Sequence, residues 1–145
     1  MKHVDSRIYL FTYIRLDAYN VSVQLIQIYQ CFCDETRLRI IHLLTKGPLC
    51  VCHFQDILEV PQTKVSQHLA YLRKRELVEC KRRGAWMIYS LPARPSPELE
   101  MNLKCLQDCA QTNPVFRTDL QKLPDARKNE AEWLEEAAQK NCDCQ

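Results

Sequence analysis

The chain has 145 residues, of which 46% are hydrophobic and 26% charged, and its formal net charge is +2. That length suits one domain with a core of its own, and the composition is ordinary for a soluble globular protein. Its two glycines, Gly47 and Gly84, are too few for glycine-rich phosphate loops, so the nucleotide-binding motifs built on such loops are excluded. The scarcity of glycine also favours a helix-rich chain.

The N-terminal part of the chain predicts an extension followed by a first helix. We assign residues 1–20 to the extension. Polar and charged residues interrupt the apolar stretch from Ile8 to Tyr29, so it neither spans a membrane nor resembles a cleavable leader. We therefore expect a cytoplasmic protein without a membrane partner. Apolar residues at helical spacing then predict a helix over residues 21–30.

A second helix is predicted over residues 37–44, with Asp34 as a suitable N-cap. Its spacing turns Leu38, Ile41 and Leu44 inward and places Arg37, Arg39 and His42 at the surface. Gly47-Pro48 ends the helix. A third helix follows, with a core stripe of Phe54, Ile57 and Leu58, and Val60-Pro61 breaks it.

The fourth helix has the pattern of a DNA reader. Its inward positions are Val65, Leu69 and Leu72, while the remaining face is rich in hydrogen-bonding groups and poor in carboxylates. Two extended runs, residues 77–81 and 86–91, are joined by Arg82-Arg83-Gly84-Ala85 and predict a β-hairpin. Three helices followed by a basic hairpin are typical of a mainly α winged helix-turn-helix with a two-stranded β-hairpin wing and extra C-terminal helices.

Beyond a proline-rich linker at residues 92–97, the chain predicts C-terminal helices. Leu99, Leu103, Leu106 and Ala110 mark one helix, residues 115–123 a short helical piece, and residues 125–140 a charged helix with Trp133, Leu134 and Ala137 on its apolar side. We therefore divide the chain into the extension, a DNA-binding and dimerisation domain over residues 21–112, and a charged helical tail over residues 113–145.

Charge is distributed unevenly along the chain. Residues 62–83 contain seven Lys or Arg against two Glu, whereas residues 98–145 contain ten acidic residues against six basic ones. A basic middle and an acidic end fit a polyanion-binding module joined to a separate packing segment. A solvated helix face would give the same basic pattern.

Nine cysteines are the unusual feature of the composition, and eight of them form close pairs. Close pairs in a cytosolic protein suggest thiolate ligands, although we expect about half of the cysteines to be small buried hydrophobes. The pairs are Cys31/Cys33, Cys50/Cys52, Cys105/Cys109 and Cys142/Cys144, with Cys80 alone.

Residues 23–92 resemble the ArsR (SmtB-related) family of metal-sensing repressors. The matching motifs are Asp34-Glu35-Thr36-Arg37-Leu38-Arg39-Ile40, Cys50-Val51-Cys52, Val65-Ser66-Gln67-His68-Leu69-Ala70-Tyr71-Leu72 and Ile88-Tyr89-Ser90-Leu91. The resemblance implies a homodimer, joined through its first and last core helices, that occupies double-stranded operator DNA and leaves it when metal binds. The Cys-Val-Cys motif resembles the branch of the family that senses arsenic and antimony.

Gln55 departs from that branch, in which a third cysteine often stands at this position. A trivalent arsenical prefers three thiolates, but two suffice for an organoarsenical, which keeps a carbon substituent. Because i and i+2 side chains diverge on a helix, Cys50 and Cys52 chelate one ion only if they lie in the irregular stretch after Gly47-Pro48 or if binding unwinds the first turn. We take Cys50 and Cys52 as the main ligands, with Cys105, Cys109 and Cys33 as further candidates.

The DNA-contact candidates lie on the fourth helix and the hairpin. Base-edge and phosphate contacts are expected from Thr63, Lys64, Ser66, Gln67 and His68, and phosphate contacts from Arg73, Lys74, Arg82 and Arg83. The chain is thus predicted to be a non-enzymatic repressor of an arsenic or antimony resistance operon, released by arsenite or an organoarsenical. The alternatives are a sensor of Zn/Cd or of thiol oxidation with the same fold and, from another class, a thiol-dependent enzyme or metal-buffering protein.

Overall fold

The computed structural model describes residues 23–142, with side chains through residue 128. The expectations for residues 1–20, for the apolar side of the tail helix and for the Cys142/Cys144 pair lie outside the residues so described. Among the helices that are described, none is both long enough and apolar enough to cross a membrane. The elements in chain order are α1 (23–32), α2 (Glu35–Leu44), β1 (Leu49–Cys50), α3 (Val51–Leu58), α4 (Gln62–Lys74), β2 (Glu79–Arg83), β3 (Trp86–Ser90), α5 (Pro97–Ala110) and α6 (Pro114–Cys142).

The predicted fold class is confirmed: helices α2 to α4 and the β2–β3 hairpin form a winged helix-turn-helix. The wing strands continue through both arginines, with Arg83 opposite Trp86, so that only Gly84 and Ala85 form the turn. Gly84 has φ of 57°, a left-handed conformation that glycine adopts without a Cβ penalty. A third antiparallel strand, β1, pairs with β3 and gives the sheet order β1-β3-β2, which the predicted two-stranded wing did not include.

Helix α2 is central to the core and is buried on more sides than its sequence pattern predicted. Residues 40–44 are all buried, and this set includes His42 at 3% exposure, so the surface position predicted for His42 is wrong. The imidazole lies edge-on to Phe116 of α6, with ring centroids 5.1 Å apart. The inward stripe predicted for α4 is confirmed, since Val65, Leu69 and Leu72 are fully buried.

The start of α2 is fastened to the end of α1. Asp34 accepts the backbone N–H of Arg37 at 2.9 Å, as expected of an N-cap. Arg37 donates to the Cys31 carbonyl at 2.9 Å and stacks on Tyr71, rather than pointing into solvent. Cys31 is fully buried in the last turn of α1, where burial raises the pKa of its thiol. Its role is that of a core side chain.

Helix α6 is continuous through Pro124, where the sequence pattern predicted two separate helices. Pro124 is exposed, while Leu123 and Ala126 on either side of it are buried in the core. Their packing outweighs the local cost of proline inside a helix. Earlier in α6, the carboxylate of Asp119, which is 1% exposed, accepts two hydrogen bonds from Arg39 at 2.7 and 2.8 Å. Arg39 therefore joins α2 to α6 and is not the outward residue predicted.

Acid should weaken the fold through His42. Burial, assisted by nearby Lys46 and opposed by Asp119, lowers the pKa of His42 below its ordinary value. Below pH about 6.5 the unfolded chain then binds this proton more readily than the folded one, so the free energy of unfolding falls as the pH falls. We expect His42→Leu to lose less stability than the wild type between pH 7.5 and 5.5 in urea titrations. Equal losses in both proteins would contradict the assignment.

Candidate thiol centre and nucleic-acid interface

Cys50 and Cys52 lie at the junction between β1 and α3 and are joined by a disulfide. Cys50 is the N-cap of α3, with an extended backbone (φ −87°, ψ 170°), while Cys52 lies in the first helical turn. The change of backbone conformation between them turns both side chains to the same side, with Cα atoms 5.5 Å apart. The sequence allowed two arrangements: an irregular backbone at the pair, or a helix whose first turn unwinds on binding. The structure has the irregular backbone, so the sulfurs meet without unwinding of α3.

The surroundings of the two sulfurs are partly closed. Cys50 is 3% exposed, Cys52 is half-buried, and His53 is fully buried beside them. The Cys50 backbone N–H donates to Nδ1 of His53 at 3.2 Å, which fixes the ring and occupies that nitrogen. The sulfurs also lie at the positive end of the α3 dipole, which favours negative charge. Sequence reasoning did not give His53 this positioning role; a histidine three residues after an N-cap is its only sequence signal.

Two routes of direct contact lead from the thiol pair to other elements. Leu49 and Cys50 pair with Tyr89 and Ile88 of the wing strand β3. On the other side, α3 packs against α4, and its buried residues Phe54 and Ile57 belong to the same hydrophobic core as the α4 stripe. The β1–α3 junction is therefore in direct contact with both the wing and α4.

The other candidate ligands lie apart from this junction. Cys105 and Cys109 are exposed on α5, one helical turn from each other. Cys109 is within hydrogen-bonding reach of Cys105, and the hydrogen bond that its protonated thiol donates raises the pKa of Cys109. Cys33 is exposed in the bend after α1. Within the part of the chain that is described, no group of three or more His, Cys, Asp or Glu side chains is positioned to hold a metal ion.

The α4 candidates for DNA contact lie mostly on one open surface. Thr63, Lys64, Ser66 and Gln67 are exposed in the first half of the helix, and Arg73 and Lys74 are exposed in its last turn. His68 is only partly exposed, and its Nδ1 lies 3.7 Å from a carboxylate oxygen of Asp34. Its contact with the start of α2 leaves His68 less accessible to DNA than its neighbours.

The wing presents two arginines of different character. Arg82 donates from Nε to the Gly84 carbonyl at 3.0 Å and so braces the turn, while Arg83 is exposed at the end of its strand. Arg83→Ala should therefore weaken binding to all DNA sequences and reduce the slope of log affinity against log salt by about one unit, as loss of one phosphate contact requires. Fluorescence anisotropy at several salt concentrations measures this slope, with Lys128→Ala on α6 as a control. An unchanged slope for Arg83→Ala would remove the wing from the DNA interface.

Comparison with known proteins places this geometry in a family. Residues 34–79 match the bacterial regulatory protein, arsR family. The chain is 37% identical over 91 residues to the arsenical resistance operon repressor of Escherichia coli, an alignment that covers 59% of this chain and 78% of that protein. The chain belongs to the ArsR family. The family consists of DNA-binding transcriptional regulators, not enzymes.

Two further ArsR-family relatives support the assignment. The arsenic resistance transcriptional regulator ArsR1 of Pseudomonas putida is 35% identical over 85 residues, which are 58% of this chain and 66% of that protein. Reduced HlyU from Vibrio cholerae has a similar structure, with a TM-score of 0.57 and 27% identity over 64% of this chain and 95% of that one. As an ArsR-family protein, the chain is a winged-helix transcriptional regulator of the repressor type.

Proposed function

We propose that this ArsR-family protein represses an arsenic or antimony resistance operon and leaves its operator when trivalent arsenic or antimony binds Cys50 and Cys52. The observation that carries the proposal is the position of the two sulfurs: they are adjacent, and their backbone is connected to α4 and to the wing. Arsenic resistance regulators among the relatives support the choice of effector.

The chemistry requires the reduced form of the pair. Each thiol loses its proton as its sulfur bonds to arsenic, and arsenite releases one water for each As–S bond formed. Two sulfurs leave one substituent on the metalloid, either a hydroxyl or, in an organoarsenical, a carbon. Zinc and cadmium sites usually have four protein or solvent ligands and favour sites with more donors. The pair therefore suits a thiophilic metalloid better.

Release from DNA follows from the connections of the β1–α3 junction. Bonding to one arsenic atom fixes the separation and orientation of two sulfurs that are free to move as thiols, so the junction shifts and moves α4 and β3. In a homodimer the two α4 helices must match half-sites about one DNA turn apart. A small movement of each helix then lowers operator affinity. We expect the protein to be cytoplasmic and to bind its operator DNA there.

A second copy of the chain is the partner we propose for α1 and α5. Ile26 and Tyr29 on α1 are 55% and 52% exposed, and Met101 on α5 is 72% exposed. Single exposed apolar side chains are ordinary, but these lie on the two helices that the family resemblance assigns to the dimer interface. Burying them in a homodimer would remove this exposure and would place two reading helices on one operator.

Cys105 and Cys109 are proposed as a second, separate thiol site. Side chains at i and i+4 lie on one helical face, and the two thiols are within hydrogen-bonding reach of each other. The raised pKa of Cys109 means that a thiophilic ion must displace a proton there, so binding should strengthen as the pH rises. Cys33 stays a candidate, although among the described residues it belongs to no group of three or more His, Cys, Asp or Glu side chains placed to hold a metal ion.

The test is an operator-release titration on the full-length protein. Fluorescently labelled DNA from upstream of its own gene is bound under reducing conditions and titrated with arsenite, phenylarsine oxide, antimonite, zinc and cadmium. We expect release by the arsenicals and antimonite at concentrations where zinc and cadmium have little effect. Release by zinc alone, or no binding to DNA, would contradict the proposal.

Oxidation sensing is a second candidate function, which the Cys50–Cys52 disulfide favours. In that reaction a peroxide takes two electrons and two protons from the thiols and leaves as water, while the sulfurs form the disulfide. Peroxide would then release the operator without any metalloid, and a reductant would restore binding. The same titration distinguishes the two candidates when peroxide is added in a parallel arm.

A further inference from the structure

Helix α6 holds both ends of the segment that carries the thiol pair. At the start of this segment, Arg127 donates to the Lys46 carbonyl at 3.0 Å, directly before Gly47. At its end, Lys122 donates to the Ile57 carbonyl at 3.3 Å and to the Glu59 carboxylate at 2.8 Å. Residues 46–59 are thus tied at entry and exit by two side chains that lie five residues apart on one helix.

The backbone at both ties is adapted to this arrangement. Gly47 has φ of 128°, a conformation that favours glycine, and the Arg127 guanidinium lies 2.9 Å from where a Cβ would stand, so a larger residue would displace this flexible side chain. Glu59 has φ of 56° and ends α3 in the left-handed conformation, and Lys122 contacts both the Ile57 carbonyl and the Glu59 carboxylate at this end of the helix. Each end of the segment is therefore in direct contact with a side chain of α6.

Helix α6 is itself fixed to the core. The buried Asp119 carboxylate holds Arg39 of α2 through two hydrogen bonds, and Phe116 packs on the buried His42 ring. Leu123 and Ala126 add apolar contact with the core. Through Lys122 and Arg127, residues 46–59 are therefore connected to a helix that is itself fixed to α2.

We propose that Lys122 and Arg127 form a clamp that directs thiol-driven movement toward the DNA-binding elements, an inference that rests on the proposed function. With both ends of residues 46–59 held, a change of sulfur spacing at Cys50 and Cys52 moves only the middle of the segment. That middle packs on α6, which is fixed to the core, and its other contacts are with α4 and β3. The clamp residues are positioning residues, and both lie outside the matched family region, residues 34–79.

The double variant Lys122→Ala/Arg127→Ala tests the clamp in the full-length protein. Its readout is the ratio of operator dissociation constants with and without phenylarsine oxide, measured by fluorescence anisotropy. Because effector coupling is commonly about 5- to 150-fold, we expect the ratio to fall at least about fivefold while affinity without arsenical stays within about twofold. Arsenical affinity, measured by calorimetry, should stay close to that of the wild type.

Two further variants separate the clamp from general effects of charge or folding. Lys128→Ala removes an exposed lysine of the same helix whose partner among the side chains described is Asp125, and it should behave as the wild type. Lys122→Arg/Arg127→Lys keeps both donors and should restore most of the ratio. An unchanged ratio in the alanine variant, or a loss of operator affinity without arsenical, would overturn the clamp. If the wild type itself were not released by the arsenical, the proposed function would fail, which is a distinguishable result.

Discussion

Cys50→Ser/Cys52→Ser is expected to bind the operator as the wild type does and to stay bound when arsenite is added. Serine nearly matches cysteine in size, so the β1–α3 junction and the α4 surface should keep their structure. The hydroxyl is a poor ligand for a thiophilic metalloid. The effector-dependent change in operator affinity, commonly about 5- to 150-fold for coupled sites, should therefore disappear. Anisotropy with labelled operator DNA under reducing conditions gives both quantities.

A matched double variant shows which thiol pair controls release. Cys105→Ser/Cys109→Ser removes two exposed sulfurs from α5 and leaves the β1–α3 junction intact. It should retain arsenite-induced release and lose one arsenical per chain in a binding titration. If the Cys50/Cys52 variant still leaves its operator on addition of arsenite, the thiol pair is not the effector site.

Asp119→Ala is expected to destabilise the protein more than any surface substitution on α6. The variant leaves Arg39, whose side chain is 17% exposed, without the carboxylate that accepts two of its hydrogen bonds. Removing one partner of a buried ion pair commonly costs about 3–5 kcal/mol. Because Arg39 is partly exposed, we expect the free energy of unfolding to fall by about 3 kcal/mol. Urea unfolding followed by circular dichroism measures the loss.

An exposed aspartate on the same helix is the control for that measurement. Asp125 pairs with Lys128, and both side chains are at least 77% exposed. Asp125→Ala should therefore change the free energy of unfolding by less than about 1 kcal/mol. Arg39→Met/Asp119→Leu removes both charges and should recover much of the stability lost in Asp119→Ala. Similar losses for Asp119→Ala and Asp125→Ala would show that the ion pair does not join α6 to the core.

The fold could be predicted largely because its signals are local. The Asp34 cap and the α4 stripe of Val65, Leu69 and Leu72 each depend on residues within a few turns of one another, and the structure has them as expected. The wing was likewise marked by aromatic and β-branched runs around Gly84. Patterns formed by residues close together in the sequence can be recognised without knowledge of tertiary contacts.

Errors arose where distant segments meet. Strand β1 is two residues long, too short for any alternation to be visible, and it exists because β3 offers it a partner. Arg39 and His42 were placed outside because a one-sided helix was assumed, whereas α6 covers their face of α2. Pro124 suggested a helix end because its neighbours' burial is invisible in the local pattern. Each error has the same cause, a contact between segments far apart in the chain.

The thiol pair was predicted as a candidate, but its geometry was left open between two states of the backbone. Spacing alone did not show that Cys50 would be an extended N-cap rather than the first residue of a helix. The pairing of Leu49 and Cys50 with β3 holds that residue in extended form. The relative orientation of the two cysteine side chains therefore depends on β3, a strand some 40 residues away along the chain.

If Cys50 and Cys52 bind the effector, as we propose, one set of backbone hydrogen bonds between β1 and β3 connects the effector site to the wing. Under the same proposal, a substitution that changes the spacing of the sulfurs should also change the orientation of Arg83 in the wing. Changes of effector preference and changes of operator preference are thus not independent in this architecture. Evolution toward a new inducer would require compensating changes in the hairpin.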